Sequence, residues 1–182
     1  MHCMRVLITT QAHLYRTPDG AIWTNSVYGY NFFTRYLQVF ELLRIVGRIM
    51  NIEYHECVNK IRVDGPGLEF ACIPFYRGPA NYIRKYFQIG MALEEAVEGC
   101  SLAVLRIPDQ IAFRLHRFIS HRKIPFAVEV VAHSWDLFAS GTTKSLFRPF
   151  FRVLWDIMQK KLCRSANAVS YVTEHYIQKR YP

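Results

Sequence analysis

The sequence lacks paired cysteines. Its five, Cys3, Cys57, Cys72, Cys100 and Cys163, are odd in number and widely spaced, and no C-x-x-C occurs. A disulfide framework is therefore excluded, a reducing cytosol is the better-suited compartment, and metal-site spacing is missing. Long apolar runs are also missing. No window holds the roughly 18 uninterrupted apolar residues of a membrane span, and the nearest stretch, Phe147–Trp155, is broken by arginines. The opening MHCMRVLITT has too short an apolar run for a signal peptide and leads straight into a strand-like segment. Met1 and Met4 both stand as candidate natural starts. Glycine and proline are few, nine and eight, against an apolar fraction of 51%. Low-complexity disorder is thereby excluded.

Several catalytic signatures are missing as well. No G-x-G-x-x-G opens the first strand–helix turn, where Thr9-Thr10-Gln11 offers no glycine. No G-x-x-x-x-G-K-[ST] and no G-x-S-x-G occur, and His55-Glu56-Cys57 lacks the second histidine of a zinc helix. No Asp-x-Asp metal–sugar motif occurs either. Gly65-Pro66-Gly67 reads as a turn and not as a phosphate cradle. Classical NAD, ATP and zinc-protease chemistry is therefore not indicated, and no metal or cofactor is expected.

What is present is positive charge. Lysine and arginine number 23 against 14 acidic residues, a formal charge of +9. Such a balance favours an anionic partner: nucleic acid, phosphate-bearing lipid, a membrane surface or a nucleotide-linked substrate. Nucleic acid is disfavoured, because no recognition motif occurs and the basic residues are scattered. A chain of 182 residues is long enough for one domain with a real core, or for one half of a larger enzyme.

The hydrophobic rhythm alternates. Arg5–Thr10, Leu42–Ile49, Leu102–Pro108, Phe126–Ala132 and Ala168–Thr173 read as strands rich in β-branched residues. Helical spacing appears over Asn31–Glu41, over 80–99, after Asp109 as N-cap, over Ser145–Ser165 and from Glu174. Gln11–Tyr30 reads as a long loop with a turn at Pro18-Asp19-Gly20. Lys60–Asp64 and Leu68–Pro74, flanking the Gly65–Gly67 turn, read as a hairpin. The expected fold is α/β: one Rossmann-like, three-layer domain over 1–182, with a mostly parallel sheet and an inserted β-hairpin.

In open parallel sheets, ligands bind beyond the carboxyl ends of strands. The candidates there are Thr10 and Gln11, Arg48, Arg106 with Pro108 and Asp109, His133 to Asp136, and Thr173 with Glu174. Arg48 and Arg106 follow apolar runs and need an anionic partner from somewhere. Glu129, inside a strand, points at the cleft or pairs with a buried cation. His133-Ser134-Trp135-Asp136 is the densest tetrapeptide. His133 is a general base oriented by Asp136, or Asp136 is itself the base, or the segment is a turn with a packed tryptophan and a capping aspartate. Asp109, Thr173 and Glu174 are explained equally by helix capping. The basic and aromatic stretch 144–164 suits a membrane surface. It suits better an amphipathic helix packed on the sheet, because its apolar residues are also needed as core.

Four blocks carry a resemblance: Arg5–Thr10, Leu102–Pro108, FAVEVVAHSWD at 126–136 and NAVSYVTEHYIQKRYP at 167–182. Their order resembles the N-terminal domain of family 4 glycosyltransferases of the GT-B fold, especially bacterial polysaccharide-biosynthesis members. The resemblance implies two facing domains, with acceptor contacts on this one. The nucleotide-sugar, a co-substrate and not a cofactor, would sit on a C-terminal domain absent from this chain. It implies a retaining transferase needing no metal, with this piece alone inactive, and a cytoplasmic location reaching to the inner membrane surface. The acceptor would be a glycan or a lipid-linked glycan. His133 and Asp136 would be catalytic. Thr10, Gln11, Gly29, Arg48, Arg106, Ser134, Trp135, Thr173 and Glu174 would line the cleft. The family's Gly-rich loop after the first strand has only Tyr28-Gly29-Tyr30 as counterpart. The rival reading is a non-enzymatic α/β module that docks on anionic lipid or a protein partner.

Overall fold

The computed structural model describes residues 4–134, 148–172 and 181. They form two compact units that divide after Leu102. The fold is mixed α/β with mostly parallel strands.

The first unit is built on β1 (Arg5–Arg16), β2 (Ile22–Thr24), β3 (Leu42–Asn51), β4 (Ile61–Arg62) and β5 (Leu68–Pro74). Strand β1 pairs in parallel with β3, and β3 in parallel with β5, while β2 joins β1 and β4 joins β2 antiparallel. Helices α1 (Tyr30–Leu37), α2 (Gly78–Arg84) and α3 (Tyr86–Ala96) connect them, with a 3-10 turn at Tyr54–Cys57. Both faces of the strands are covered: the consecutive Val6, Leu7 and Ile8, with Leu43, Ile45 and Val46, are closed to solvent. Helices α1 and α3 add Phe33, Ile89 and Leu93. At the strands' amino ends Arg44 donates to the last carbonyls of the α3 region, Ala96 O at 3.1 Å and Glu98 O at 2.7 Å. A cation there satisfies carbonyls that the helix cannot.

Three details differ from the sequence expectation. First, β1 does not stop at Thr10. It runs on to Arg16 and turns back into β2, so the expected loop is mostly a hairpin. Its turn is closed by Gly20 N–H donating to Thr17 O at 2.9 Å, with Gly20 at φ +85°. Asp19 Oδ1 accepts from the Thr17 hydroxyl at 2.6 Å and from Ala21 N–H at 3.2 Å. Second, the hairpin expected over 60–74 is absent. The 65–67 turn, with Gly67 at φ +79°, redirects the chain, so β5 runs beside β3 in parallel while β4 completes β2. The open hydrogen-bonding edges of β2 and β3 outbid local pairing, because β4 pairs over only two residues. Tyr30 packs over Gly65, its hydroxyl donating to Pro66 O at 3.0 Å, so a side chain at 65 would collide with the ring. Third, the helix expected over 80–99 is divided at Lys85, whose backbone sits at φ −98°, ψ 11°.

The second unit holds parallel strands β6 (Leu102–Ile107), β7 (Phe126–Val130) and β8 (Ala168–Tyr171), with α4 (Gln110–His121) and α5 (Arg148–Ser165). Asp109 caps α4 as expected, its Oδ2 accepting from Ala112 N–H at 3.3 Å. The Ile107–Pro108 peptide is cis. No helix among the described residues is long and apolar enough to cross a membrane.

The β1–β3 pair contains one irregularity. Thr9 lies opposite Val46 and His13 opposite Arg48, so β1 carries extra residues over that step. Gly47 faces this bulge. A Cβ there would lie 2.9 Å from both Thr10 Cγ2 and Leu14 Cδ1, in a buried site. Gly47→Ala is therefore expected to destabilise the chain by about 1–3 kcal/mol, the usual cost of overpacking, read as a lower midpoint in chemical denaturation.

A basic rim at the strand ends as candidate functional site

The bulge determines what the first unit presents on β1 and β3 beside the carboxyl end of β5. Thr10 is buried, and its Oγ1 accepts from Ala12 N–H at 3.2 Å, closing a local side-chain turn. Gln11 then turns its carbonyl toward β3, where Arg48 Nη2 donates to it at 3.1 Å. The Arg48 guanidinium lies 5.1 Å from the centre of the Tyr76 ring. Its buried Nε has no hydrogen-bond partner among the described residues. His13, two residues beyond Gln11, sets its ring edge-to-face against Phe75 at 5.2 Å. Lys85 Nζ donates to Phe75 O at 2.7 Å and holds the Phe75–Arg77 corner, which follows β5.

Electrostatics single out His13. Its pKa is lowered from 6.5, first by burial and then by the positive charges of Arg48 and Arg77. The imidazole is thus neutral at neutral pH, able to accept or donate one hydrogen bond. Among the described residues no carboxylate pairs with Arg48 or Arg77. Two guanidinium groups, a neutral imidazole and two aromatic faces form a site for an anion. Thr10, Gln11 and Arg48 were expected here from sequence. His13 and Arg77 were not. The signal for both was present, since each stands within three residues of a strand-end candidate or of an apolar run.

Gly29 belongs to the same unit but serves packing. It precedes α1, where an added Cβ would strike the Ile61 side chain and approach Arg62 O at 3.2 Å.

The second unit holds the other candidates. Arg106 finds its anion within the sheet: it faces Glu129 in register, and its Nε lies 2.5 Å from Glu129 Oε2, with both side chains largely buried. His133, 8% exposed, packs edge-to-face on Tyr181 at 5.3 Å. The fully buried Tyr181 hydroxyl donates to Asp156 Oδ1 at 2.8 Å and lies 3.5 Å from His133 Nδ1. Lys160 pairs with Asp156 at 2.9 Å. Ser134 is fully buried, and its backbone N–H donates to Gln159 Oε1 at 3.1 Å, while Gln159 Nε2 donates to Ala132 O at 3.0 Å. The structure thus joins His133 and Ser134 to the inward face of α5. Trp135, Asp136, Thr173 and Glu174 lie outside the described residues. Among the described residues no cluster of three His, Cys, Asp or Glu side chains is placed to hold a metal ion.

Comparison with known proteins adds context. No protein-family model matches the chain. It is 26% identical over 155 residues to Protein CapJ of Staphylococcus aureus, a match covering 85% of this chain and 39% of CapJ. The chain thus spans about two-fifths of that curated relative's length. Among solved structures, a UGT transferase from Siraitia grosvenorii in complex with UDP aligns with 97% of this chain and 46% of its own, at a TM-score of 0.48 and 10% identity.

Two outcomes test the site's electrostatics and the second unit's network. His13 and His116 both have lowered pKa values, His116 through burial and then Lys161. The unfolded chain binds their protons first, so stability should fall as pH drops through about 6.5. His13→Gln should flatten that dependence in denaturation midpoints measured between about pH 7.5 and 5.5. Tyr181→Phe leaves buried Asp156 short of a donor and should cost about 1–3 kcal/mol in the same assay.

Proposed function

We propose that the chain is the acceptor-side part of a nucleotide-sugar-dependent glycosyltransferase. In this reading it serves polysaccharide biosynthesis, and the basic rim holds the anionic group of a lipid-linked acceptor, a pyrophosphate by its chemistry. The observation that carries the reading is the rim itself: His13 and Arg48, in register with each other beside the end of β5, and Arg77 just beyond that end, with no described carboxylate to neutralise them. The sequence resemblance to GT-B glycosyltransferases and the partial match to CapJ support it.

Glycosyl transfer demands that an acceptor hydroxyl be held beside an anomeric carbon, and that charge on the departing nucleotide diphosphate be offset. The rim supplies the first requirement by gripping the acceptor's charged end. A bidentate guanidinium such as Arg48, already fixed by Gln11 O and the Tyr76 ring, loses little freedom on binding. The donor belongs to a further domain, as the resemblance implies, and retention of stereochemistry belongs to the same reading, as does work in the cytoplasm. In the second unit His133 acts by position, buried against Tyr181.

Isothermal titration of the chain with inorganic pyrophosphate tests the rim. Binding should weaken as salt rises, as charge-assisted contacts to an anion do. Arg48→Gln and Arg77→Gln should each lower affinity roughly tenfold, the loss of one charge-assisted contact. Equal affinity in wild type and both variants would sink the assignment. Tight binding of UDP-sugars by this chain alone would reverse the assignment of the two halves.

A further inference from the structure

One ring of the rim belongs to two arrangements. Tyr76, 4% exposed, has the Arg48 guanidinium 5.1 Å from its centre. The same ring opens a series of aromatic contacts that leads away from the rim. Tyr76 meets Tyr82 at 5.2 Å between ring centres, Tyr82 meets Tyr86 at 5.9 Å, and Tyr86 meets Phe87 at 5.7 Å. All three distances are those of rings in contact. The rings come from three places: the corner after β5, helix α2 and the first turn of α3. Lys85, between the two helices, keeps them joined, its N–H donating to Asn81 O at 3.1 Å and its carbonyl accepting from Ile89 N–H at 2.9 Å.

Exposure rises along the series. Tyr76 is buried, Tyr82 is half-buried, Tyr86 is 43% exposed and Phe87 is 83% exposed. Ile83, one turn before Phe87, is also exposed. Apolar residues scattered singly on a surface need no explanation. A continuous series that starts beneath a cation and ends in water does. Charge does not draw an occupant to its outer end. Arg84 stands exposed beside the rings, and Glu94, Glu95 and Glu98 stand exposed about two turns or more beyond Phe87. The outer rings therefore suit hydrocarbon, and the inner end suits an anion. One molecule satisfies both when the hydrocarbon is attached to the anion that Arg48 holds, because the Tyr76 ring borders both.

We infer that Tyr76, Tyr82, Tyr86 and Phe87 form a track for the hydrocarbon tail of the acceptor, bound together with its pyrophosphate as one ligand. The inference rests on the rim as the pyrophosphate site and adds a second element of acceptor recognition. An isoprenoid chain suits the track, since each ring-to-ring step is close to the length of one isoprene unit.

Titration calorimetry of the full chain with inorganic pyrophosphate, geranyl pyrophosphate and farnesyl pyrophosphate tests it, below the concentrations at which the lipids aggregate. Affinity should rise with each lengthening. Farnesyl pyrophosphate should bind at least roughly tenfold more tightly than pyrophosphate, a gain that burial of about two methylene groups supplies. Phe87→Ser should shrink that ratio several-fold, and Tyr82→Ser with Phe87→Ser should bring it close to unity. The pyrophosphate titration reports on folding, because a collapsed variant loses both ligands and a damaged track loses only the difference. Farnesol, a tail without the anion, should bind far more weakly than farnesyl pyrophosphate. Equal affinity of the wild type for pyrophosphate and farnesyl pyrophosphate overturns the track and leaves the rim standing. A ratio unchanged in the double variant, or lost in Ile157→Ser on α5, puts the tail elsewhere and overturns it. Farnesol binding as tightly as farnesyl pyrophosphate separates the rings from the anion site and overturns it as well. No binding of either pyrophosphate by the wild type removes the rim and the track together.

Discussion

Everything the first unit presents beside the end of β5 depends on the mismatch between β1 and β3. A regular parallel pair would keep both strands in step and send Gln11 and His13 to positions dictated by simple alternation. The extra length of β1 between Thr9 and His13 breaks that step, and Gly47 makes room for it. The carbonyl of Gln11 is thereby aimed across the sheet at Arg48, which fixes the guanidinium without spending it on a carboxylate. A cation held by a carbonyl and a ring keeps most of its charge for something else. The same bulge returns His13 to the β3 register, where burial, and then Arg48 and Arg77, depress its proton affinity.

The units treat charge in two ways. In the first, Arg5 and Arg44 share Glu69 and Arg62 pairs with Asp64, while Arg48 is braced by neutral groups. In the second, Arg106 is matched by Glu129 inside the sheet, and Asp156 is matched by Tyr181 and Lys160. Low dielectric makes a matched buried pair rigid and an unmatched one costly. The matched pairs of both units therefore organise a scaffold, while Arg48 keeps its charge for a ligand. Helix α5 shows the same logic, turning Asp156 and Gln159 inward while Phe150 and Ile157 face water.

The strands whose neighbours are parallel were legible in sequence: β3, β6, β7 and β8 are short β-branched runs with clear stops, and Asp109 announces α4. What could not be read was pairing. The Gly65–Gly67 turn is compatible with a hairpin or with a redirection, and the choice was made by vacant edges on β2 and β3, elements distant in sequence. The extension of β1 was hidden because the bulge interrupts alternation with Gln11 and His13, which read as loop. That error propagated to the site. With β5 counted as half a hairpin, the register that sets His13 and Arg48 beside its end was out of view, and His13 and Arg77 were passed over. Arg106 was singled out correctly as needing an anion, and Glu129 as a possible partner, but only the register of β6 on β7 joins them.

The Arg106–Glu129 pair also carries an evolutionary corollary. The two side chains pair in a nearly closed space, so losing either one leaves its mate's charge in a medium that solvates it poorly. Replacing both with apolar residues of similar bulk is far gentler than replacing one. Descendants of this fold would thus be expected to keep the couple intact or discard it whole, with half-way intermediates purged.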